Sequence, residues 1–540
     1  MRRAVMSVQD YISFPLRRSS RNNDEVLEIT MTKTILQPEM NAVQVRTMQP
    51  HASRSRAGLF LAFMALVVAG AVLGLAGQTL IGNLGTAGTF ALILAGPFFT
   101  VAVGVGIWKS FGKFRILWKQ LTWWHGLWLV MVVSNFVFRT RSIETVQQHP
   151  LDVAAAFRIL LVGLTAFLLM VRLTLKRPPW LHSLFHGLIG IMAVFALVCI
   201  TSSLWSVNPP WTLYKSLEYL VDLSLLAAIL ASVGSTESYA SLLNWTWVIC
   251  GVLVAVAWLE APIWPQEALE GAGGYVGGPL RFRLSGVYPG QGFNMLGTYG
   301  AILATIAICR LLPAAAHKFD RAWYAIVLML GAVTMVFSQT RSAIGGFVVG
   351  VALLFIITKR LRFAAALGVA SAAVLALTGA GTVVLNFLQR GQSQSQIASL
   401  SGRLQWWGVA WDAFKLHPWT GYGAFSSGLA VFPKLGVKEV TPLHSDYVET
   451  LVGIGIWGPL LLLAALLGTW WILIRCLRRF PSSTLEHQLA VESIAVLGVL
   501  TARSVVMGVI MSQPPIQYFA ILGFAEYLRR RYSAKALSVS

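Results

Sequence analysis

Charge is scarce in this chain of 540 residues: Asp, Glu, Lys and Arg together make up 12%, against about a quarter in soluble globular proteins. That deficit excludes an ordinary cytosolic enzyme and a long disordered protein. Cysteine is nearly absent too. Cys199, Cys250, Cys309 and Cys476 all fall in or beside apolar runs, which excludes an extracytoplasmic disulfide framework. Missing as well are a phosphate-binding glycine loop of Walker type, a Cys/His set at metal-binding spacing, and a convincing Asp-x-Asp pair in any outer loop. No inner segment is long enough for a nucleotide-binding domain. What the chain has in abundance is apolar sequence: 56% hydrophobic residues, with a mean hydropathy of +0.68.

Apolar runs of about 20 residues recur along almost the whole length, matching a bilayer core of roughly 30 Å. Spans are expected near 58–78, 87–108, 121–138, 152–171, 184–204, 215–233, 241–260, 293–311, 322–339, 342–358, 363–383, 447–474, 488–510 and 515–528. The fold class is therefore an all-α polytopic integral membrane protein of about twelve to fourteen transmembrane helices. Acidic residues number 21 against 42 Lys and Arg. In a soluble protein that excess suggests nucleic acid. Here it lies in short clusters between apolar runs, so topology accounts for it and no nucleic-acid partner is expected. Lys109, Lys113, Arg115 and Lys119, then Arg172, Lys176 and Arg177, then Arg310, Lys318 and Arg321 mark alternate connections. Lys359, Arg360 and Arg362, Arg475, Arg478 and Arg479, and the tail Arg529, Arg530, Arg531 and Lys535 continue the alternation. Basic short loops face the cytoplasm, so both termini are expected there.

The organisation that follows is a disordered cytoplasmic tail over 1–56, amino-terminal helices over 57–260, an outer loop over 261–292 and central helices over 293–383. A large, partly helical outer loop over 384–446, carboxy-terminal helices over 447–528 and a basic cytoplasmic tail over 529–540 complete it. A loop the length of 384–446 is too long to be structureless in a compact protein, so function is sought on the outer face.

Four segments there have chemistry. Arg281-Phe-Arg283-Leu-Ser-Gly286 leads through a Gly/Pro turn to Asn294 and a span; free backbone N–H groups beside cations suit a phosphate, and a snorkelling interfacial arginine fits equally. Ser338-Gln-Thr-Arg341-Ser342 sits between two apolar runs with almost no loop. An arginine at mid-membrane costs about 2.5–3.5 kcal/mol or more, so Arg341 reads as functional; its rival is a structural pair with Glu260 or Glu449. In Ser401-Gly-Arg403 through Gly421-Tyr-Gly423, Ser401 is the expected N-cap and Pro418 stops the helix near His417. Trp407, Trp411 and Phe414 share one face below Arg403, as a site or as an interfacial aromatic belt. His417 reads as a turn residue. His444-Ser445-Asp446-Tyr447-Val-Glu449 places a histidine at the mouth of a span, available as a base or phosphate partner or as a satisfied interfacial side chain.

Together these segments resemble the O-antigen ligase and polymerase superfamily of bacterial membrane glycosyltransferases. His444-Ser445, nine residues, then Gly455-Ile-Trp-Gly458 is similar to the ligase pattern of His, Asn/Ser/Gln, nine residues and Gly-x-x-Gly. The Ser-Gly-Arg403 helix with His417-Pro418 and Gly421-Tyr-Gly423 resembles the start of the family's large periplasmic loop. Arg283-Leu-Ser-Gly286 with Asn294, and Thr-Arg341-Ser, resemble its two upstream arginine motifs. Leu204-Trp205-Ser206-Val-Asn208-Pro209 is similar to another outer segment of the group. Ser445 stands where Asn is commoner, and the Tyr288-to-Asn294 turn is longer than usual; both bear on the acceptor.

The resemblance implies a glycan carried on undecaprenyl diphosphate, passed to lipid A–core or another acceptor at the outer face of the bacterial inner membrane. It implies no cofactor, nucleotide or metal. Arg283, Arg341 and Arg403 would bind the donor diphosphate, with Arg341 and His444 catalytic: arginines stabilise the leaving group, and His444 deprotonates the acceptor hydroxyl. Trp407, Trp411, Asp446 and Tyr447 are the candidate acceptor or sugar contacts. A ligase is the first reading. An O-antigen or exopolysaccharide polymerase, with a second lipid-linked chain as acceptor, is the alternative, and a non-enzymatic lipid or glycan transporter is the third. A transporter should bind at the bilayer midplane, whereas these residues cluster at the surface.

Overall fold

The computed structural model describes residues 123–134, 153–175, 179–271, 280, 282–312, 321–378, 380–436, 442–511 and 515–539. The tail 1–56, the expected spans 58–78 and 87–108, and Arg281 lie outside the described residues. The helices in chain order are α1 (Trp123–Ser134), α2 (Val153–Leu175), α3 (Pro179–Leu184), α4 (Gly187–Thr201), α5 (Pro209–Ser232), α6 (Thr236–Ile263) and α7 (Pro265–Ala268). Two antiparallel hairpins follow, pairing β1 (Leu269–Gly271) with β2 (Phe282–Leu284) and β3 (Gly286–Val287) with β4 (Gly290–Gln291). Then come α8 (Phe293–Leu311), α9 (Arg321–Phe337), α10 (Arg341–Ile357), α11 (Leu361–Thr378), α12 (Ala380–Gln389), α13 (Gln394–Ala398), α14 (Arg403–Leu416) and α15 (Ser427–Val431). The chain closes with α16 (Asp446–Ile454), α17 (Trp457–Arg479), α18 (Leu485–Ser504) and α19 (Ile516–Val539).

This is an all-α polytopic membrane protein. Among the described residues, six helical segments are long and apolar enough to cross a membrane: Gly187–Leu204, α6, α8, α11, α17 and α18. The shorter apolar helices α9 and α10 accompany them. Two expected spans are interrupted. The run 363–383 is divided between α11 and α12, and the run 447–474 breaks between α16 and α17 at Gly455, where φ is +68°. That conformation favours glycine, and a Cβ at Gly455 would come within 2.5 Å of the Pro418 carbonyl oxygen.

In lipid the apolar effect does not drive helices together, so close backbone contact matters more. A methyl group at Gly346 would approach the Val499 carbonyl oxygen to 3.0 Å, and one at Gly350 would approach that of Ala495 to 2.7 Å. This small-residue seam packs α10 against α18. The two run antiparallel, so Arg341 at the start of α10 and Arg503 at the end of α18 share one end of the bundle. The start of α8 joins them there, because Arg503 Nη2 donates to the Asn294 carbonyl at 3.1 Å. Elsewhere a buried charge network ties α2 to α5: Arg158 Nε donates to Glu218, which also accepts from Lys215 Nζ at 2.9 Å.

Candidate functional site

Residues 338–340 close the turn between α9 and α10 away from solvent. Ser338, Gln339 and Thr340 are buried; Gln339 Nε2 donates to the Leu280 and Phe282 carbonyls at 3.0 and 2.6 Å, and Thr340 Oγ1 to the Phe293 carbonyl at 3.2 Å. These bonds fix the first loop to the turn that presents Arg341. The Arg341 guanidinium then reaches the second loop, donating to the Leu388 carbonyl at 3.2 Å, Gln392 Oε1 at 2.7 Å and Ser401 Oγ at 3.0 Å. Neither acid of the structural alternative pairs with it. Glu260 accepts from the Val287 and Tyr288 amides at 2.8 and 2.7 Å, and Glu449 from the Ser427 hydroxyl and the Leu443 amide.

Ser401 was expected to cap the helix that follows. Instead the N-cap is Gly402, at φ +87° with no side-chain cap, and the Ser401 hydroxyl accepts from Arg341 and from Gln392 Nε2 at 3.1 Å. The serine is therefore spent on the arginine. The helix ends as expected, with His417 as its C-cap, edge-on to Tyr422 at 4.8 Å.

The side chain of Arg403, the first residue of α14, makes no hydrogen bond or ion pair with any described residue. Burial, and then the like charge of Arg341, hold its pKa below the ordinary guanidinium value; it stays protonated at neutral pH. His444 lies within electrostatic reach of it. Burial first, and the Arg403 charge second, push His444 down to about 4, so the imidazole is neutral at pH 7. Its Nδ1 is buried with no hydrogen-bond partner among the described residues. The backbone at His444 takes φ +55°, an uncommon conformation for a residue with a side chain, and its neighbours hold it there. Trp406 stacks on the ring at 5.7 Å. Trp407 Nε1 donates to the Leu443 carbonyl at 2.9 Å, and the Leu443 amide donates to Glu449 Oε2 at 2.8 Å. Ser445 caps α16 by accepting from the Val448 amide, a task asparagine performs as well.

The remaining expected residues divide. Arg283 lies over the Phe293 ring at 3.9 Å, and the Phe293 carbonyl accepts from Thr340 Oγ1. Trp411 is 53% exposed beside Phe414, open to a ligand or to lipid. Tyr447 Oη accepts from Ser504 Oγ at 3.2 Å, next to Arg503. Asp446 departs from the role of a sugar contact: it is 0% exposed, and its carboxylate accepts the Val509, Ile510 and Met511 amides at 2.7–3.2 Å. It anchors the chain leaving α18.

The glycine motifs are scaffold. Residues 422 and 423 donate to the Val452 and Gly453 carbonyls at 2.9 and 2.8 Å, and the Ile456 amide to that of Pro418 at 2.9 Å. Leu204 to Pro209 docks on the same strip: Val207 donates to the Tyr422 carbonyl at 3.0 Å and Trp205 Nε1 to that of Thr420 at 2.9 Å. Sequence reading missed Trp406, Gln392 and Arg503. For Arg503 a signal existed: it is an arginine at the non-basic end of a span, against the alternation that placed the others.

Residues 325–463 match the family model described as O-antigen ligase. The match supports the O-antigen ligase and polymerase superfamily, and with it a ligase- or polymerase-type glycosyltransferase. It takes in Arg341, Arg403 and His444 and stops short of Arg283 and Arg503. No curated protein matches the chain.

Proposed function

We propose that the chain transfers a glycan from undecaprenyl diphosphate to lipid A–core or another acceptor hydroxyl, at the periplasmic face of the inner membrane, without a metal. The observation that carries the reading is the cationic group around Arg341 and Arg403, set beside a neutral histidine. The acceptor oxygen attacks the anomeric carbon while His444 takes its proton. The bond from that carbon to the phosphate oxygen breaks, and the diphosphate leaves with the electron pair. Arginines preorganised at that oxygen stabilise the developing charge, and the planar guanidinium can hold two phosphate oxygens. An imidazole near pKa 4 is a weak base at neutral pH. A bound diphosphate opposes the Arg403 charge and so raises His444 basicity when the donor is in place. Trp407, Trp411 and Tyr447 would supply the sugar contacts.

The test is product identity. Purified protein is incubated with lipid-diphosphate glycan and either lipid A–core or a second lipid-linked unit. Glycosylated lipid A–core is the expected product; a lengthened lipid-linked chain instead makes the protein a polymerase, and no transfer to either removes the proposal. Added chelator is expected to leave the initial rate unchanged, and restoration of a lost rate by magnesium or manganese overturns the metal-free mechanism.

A further inference from the structure

Arg503 is 1% exposed. Of its guanidinium, Nη2 donates to the Asn294 carbonyl at 3.1 Å, while Nε and Nη1 are buried without a hydrogen-bond partner among the described residues. No described carboxylate pairs with it, and the charged side chain recorded as acting on it is Arg403, of the same sign. Arginine cannot shed its proton in a protein, and a buried unpaired charge is strongly unfavourable. Such a side chain is the converse of a structural ion pair.

Its position bears on its role. The Arg503 stem packs at Gly346, where an added methyl would meet Cγ at 3.1 Å. Gly346 lies five residues along α10 from Arg341, about 7.5 Å further along the helix axis at 1.5 Å per residue. Arg341 and Arg403 approach from the loop side, and Arg503 comes from the bundle interior. The next residue, Ser504, bonds Tyr447, which keeps the end of α18 against the His444 segment. We infer that Arg503 is a further diphosphate-contacting residue, donating through Nε and Nη1 to the phosphate nearer the lipid, while Arg341 and Arg403 hold the phosphate nearer the sugar. The inference rests on the reading of the chain as a user of a lipid-diphosphate donor.

The experiment measures binding of undecaprenyl diphosphate and undecaprenyl monophosphate to detergent-purified full-length protein, with ligand-free thermal unfolding alongside. Wild type should prefer the diphosphate. Arg503→Gln and Arg503→Met should weaken binding of both lipids about 10- to 100-fold, the range of one lost charge-assisted contact, because the lipid-attached phosphate is common to them. The ligand-free melting temperature should stay the same or rise, because an unpaired buried charge has been removed. Diphosphate affinity equal to wild type in both variants overturns the inference, as does a lower melting temperature in both, the mark of a structural arginine. Arg403→Ala separates the two levels. If it loses diphosphate binding while the Arg503 variants keep it, only the role of Arg503 falls; if wild type binds neither lipid, the donor reading falls with it.

Discussion

The arginines of the candidate site and those at the far end of the helix bundle have different partners. At one end each arginine with recorded ion pairs meets an acid. Arg310 Nε and Nη2 donate to the two Glu492 oxygens at 2.7 and 2.8 Å, with Asn244 Oδ1 taking a further bond at 2.7 Å. Glu526, fully buried, accepts from Arg529 and Arg530 at 2.7–2.9 Å, and Arg531 lies 3.3 Å from Glu486. At the candidate site Arg341 donates to neutral oxygens, and among the described residues the Arg403 side chain has no hydrogen-bond partner and the Arg503 guanidinium has one backbone carbonyl. Both ends are rich in cations, so hydropathy and charge counts treat them alike. The difference lies in compensation. A cation matched by a carboxylate holds helices together; a cation held by neutral oxygens, as Arg341 is by Gln392 and Ser401, keeps a field available for a ligand.

That contrast breaks first at the paired end. Glu492→Ala leaves the Arg310 guanidinium without its carboxylate and should destabilise the protein by about 3–5 kcal/mol, the usual cost of breaking a buried pair, read as denaturant or thermal unfolding in detergent. A change under 1 kcal/mol would mean that the pairing does not distinguish the two ends. At the candidate site the loss should appear in rate instead. Arg341→Ala should lower initial transfer on the order of 10²–10³-fold, as removal of one preorganised transition-state donor does, with a smaller effect on unfolding than Glu492→Ala. Arg341→Lys should fail nearly as badly, because an ammonium cannot span Gln392, Ser401 and a phosphate with a planar fork. Near-normal turnover in both Arg341 variants would return that arginine to a structural role.

Much of this was legible in the chain itself. The start of α8 at Phe293 and of α10 at Arg341 follow from hydropathy and from the arginine that halts it. The meeting of Arg341, Arg403 and His444 was readable as sidedness, since charge alternation put all three at one face. What escaped had physical causes. The break at Gly455 needs the Pro418 carbonyl alongside, a contact between segments nearly forty residues apart in the sequence. Ser401 looks like an N-cap because caps are local, yet the Arg341 hydrogen bond crosses sixty positions and wins. Asp446 looked available beside His444, but three amides from residues 509–511 claim it. Arg503 escaped because a single arginine near a span end reads as snorkelling, and only tertiary packing shows that its head is buried.

The smallest expected effect tests the electrostatics directly. His444 is held at about 4, by burial first and by Arg403 second, against about 6.5 for an unperturbed imidazole. The unfolded chain therefore takes up a proton at His444 between pH 6.5 and 4 that the folded protein refuses, so the His444 contribution to stability is full above pH 6.5 and is lost as pH falls through that window. If His444 is the base, the acid limb of kcat/KM, which reports the free enzyme, should lie near pH 4 rather than near 6.5. Arg403→Gln removes the smaller of the two causes, so the limb should move upward by part of that interval without reaching the ordinary value. Its position is independent of how far the variant lowers the plateau through weaker donor binding. A limb at 6.5 in wild type would place a different base at the acceptor, and a limb unmoved by Arg403→Gln would show that the arginine field does not reach the imidazole.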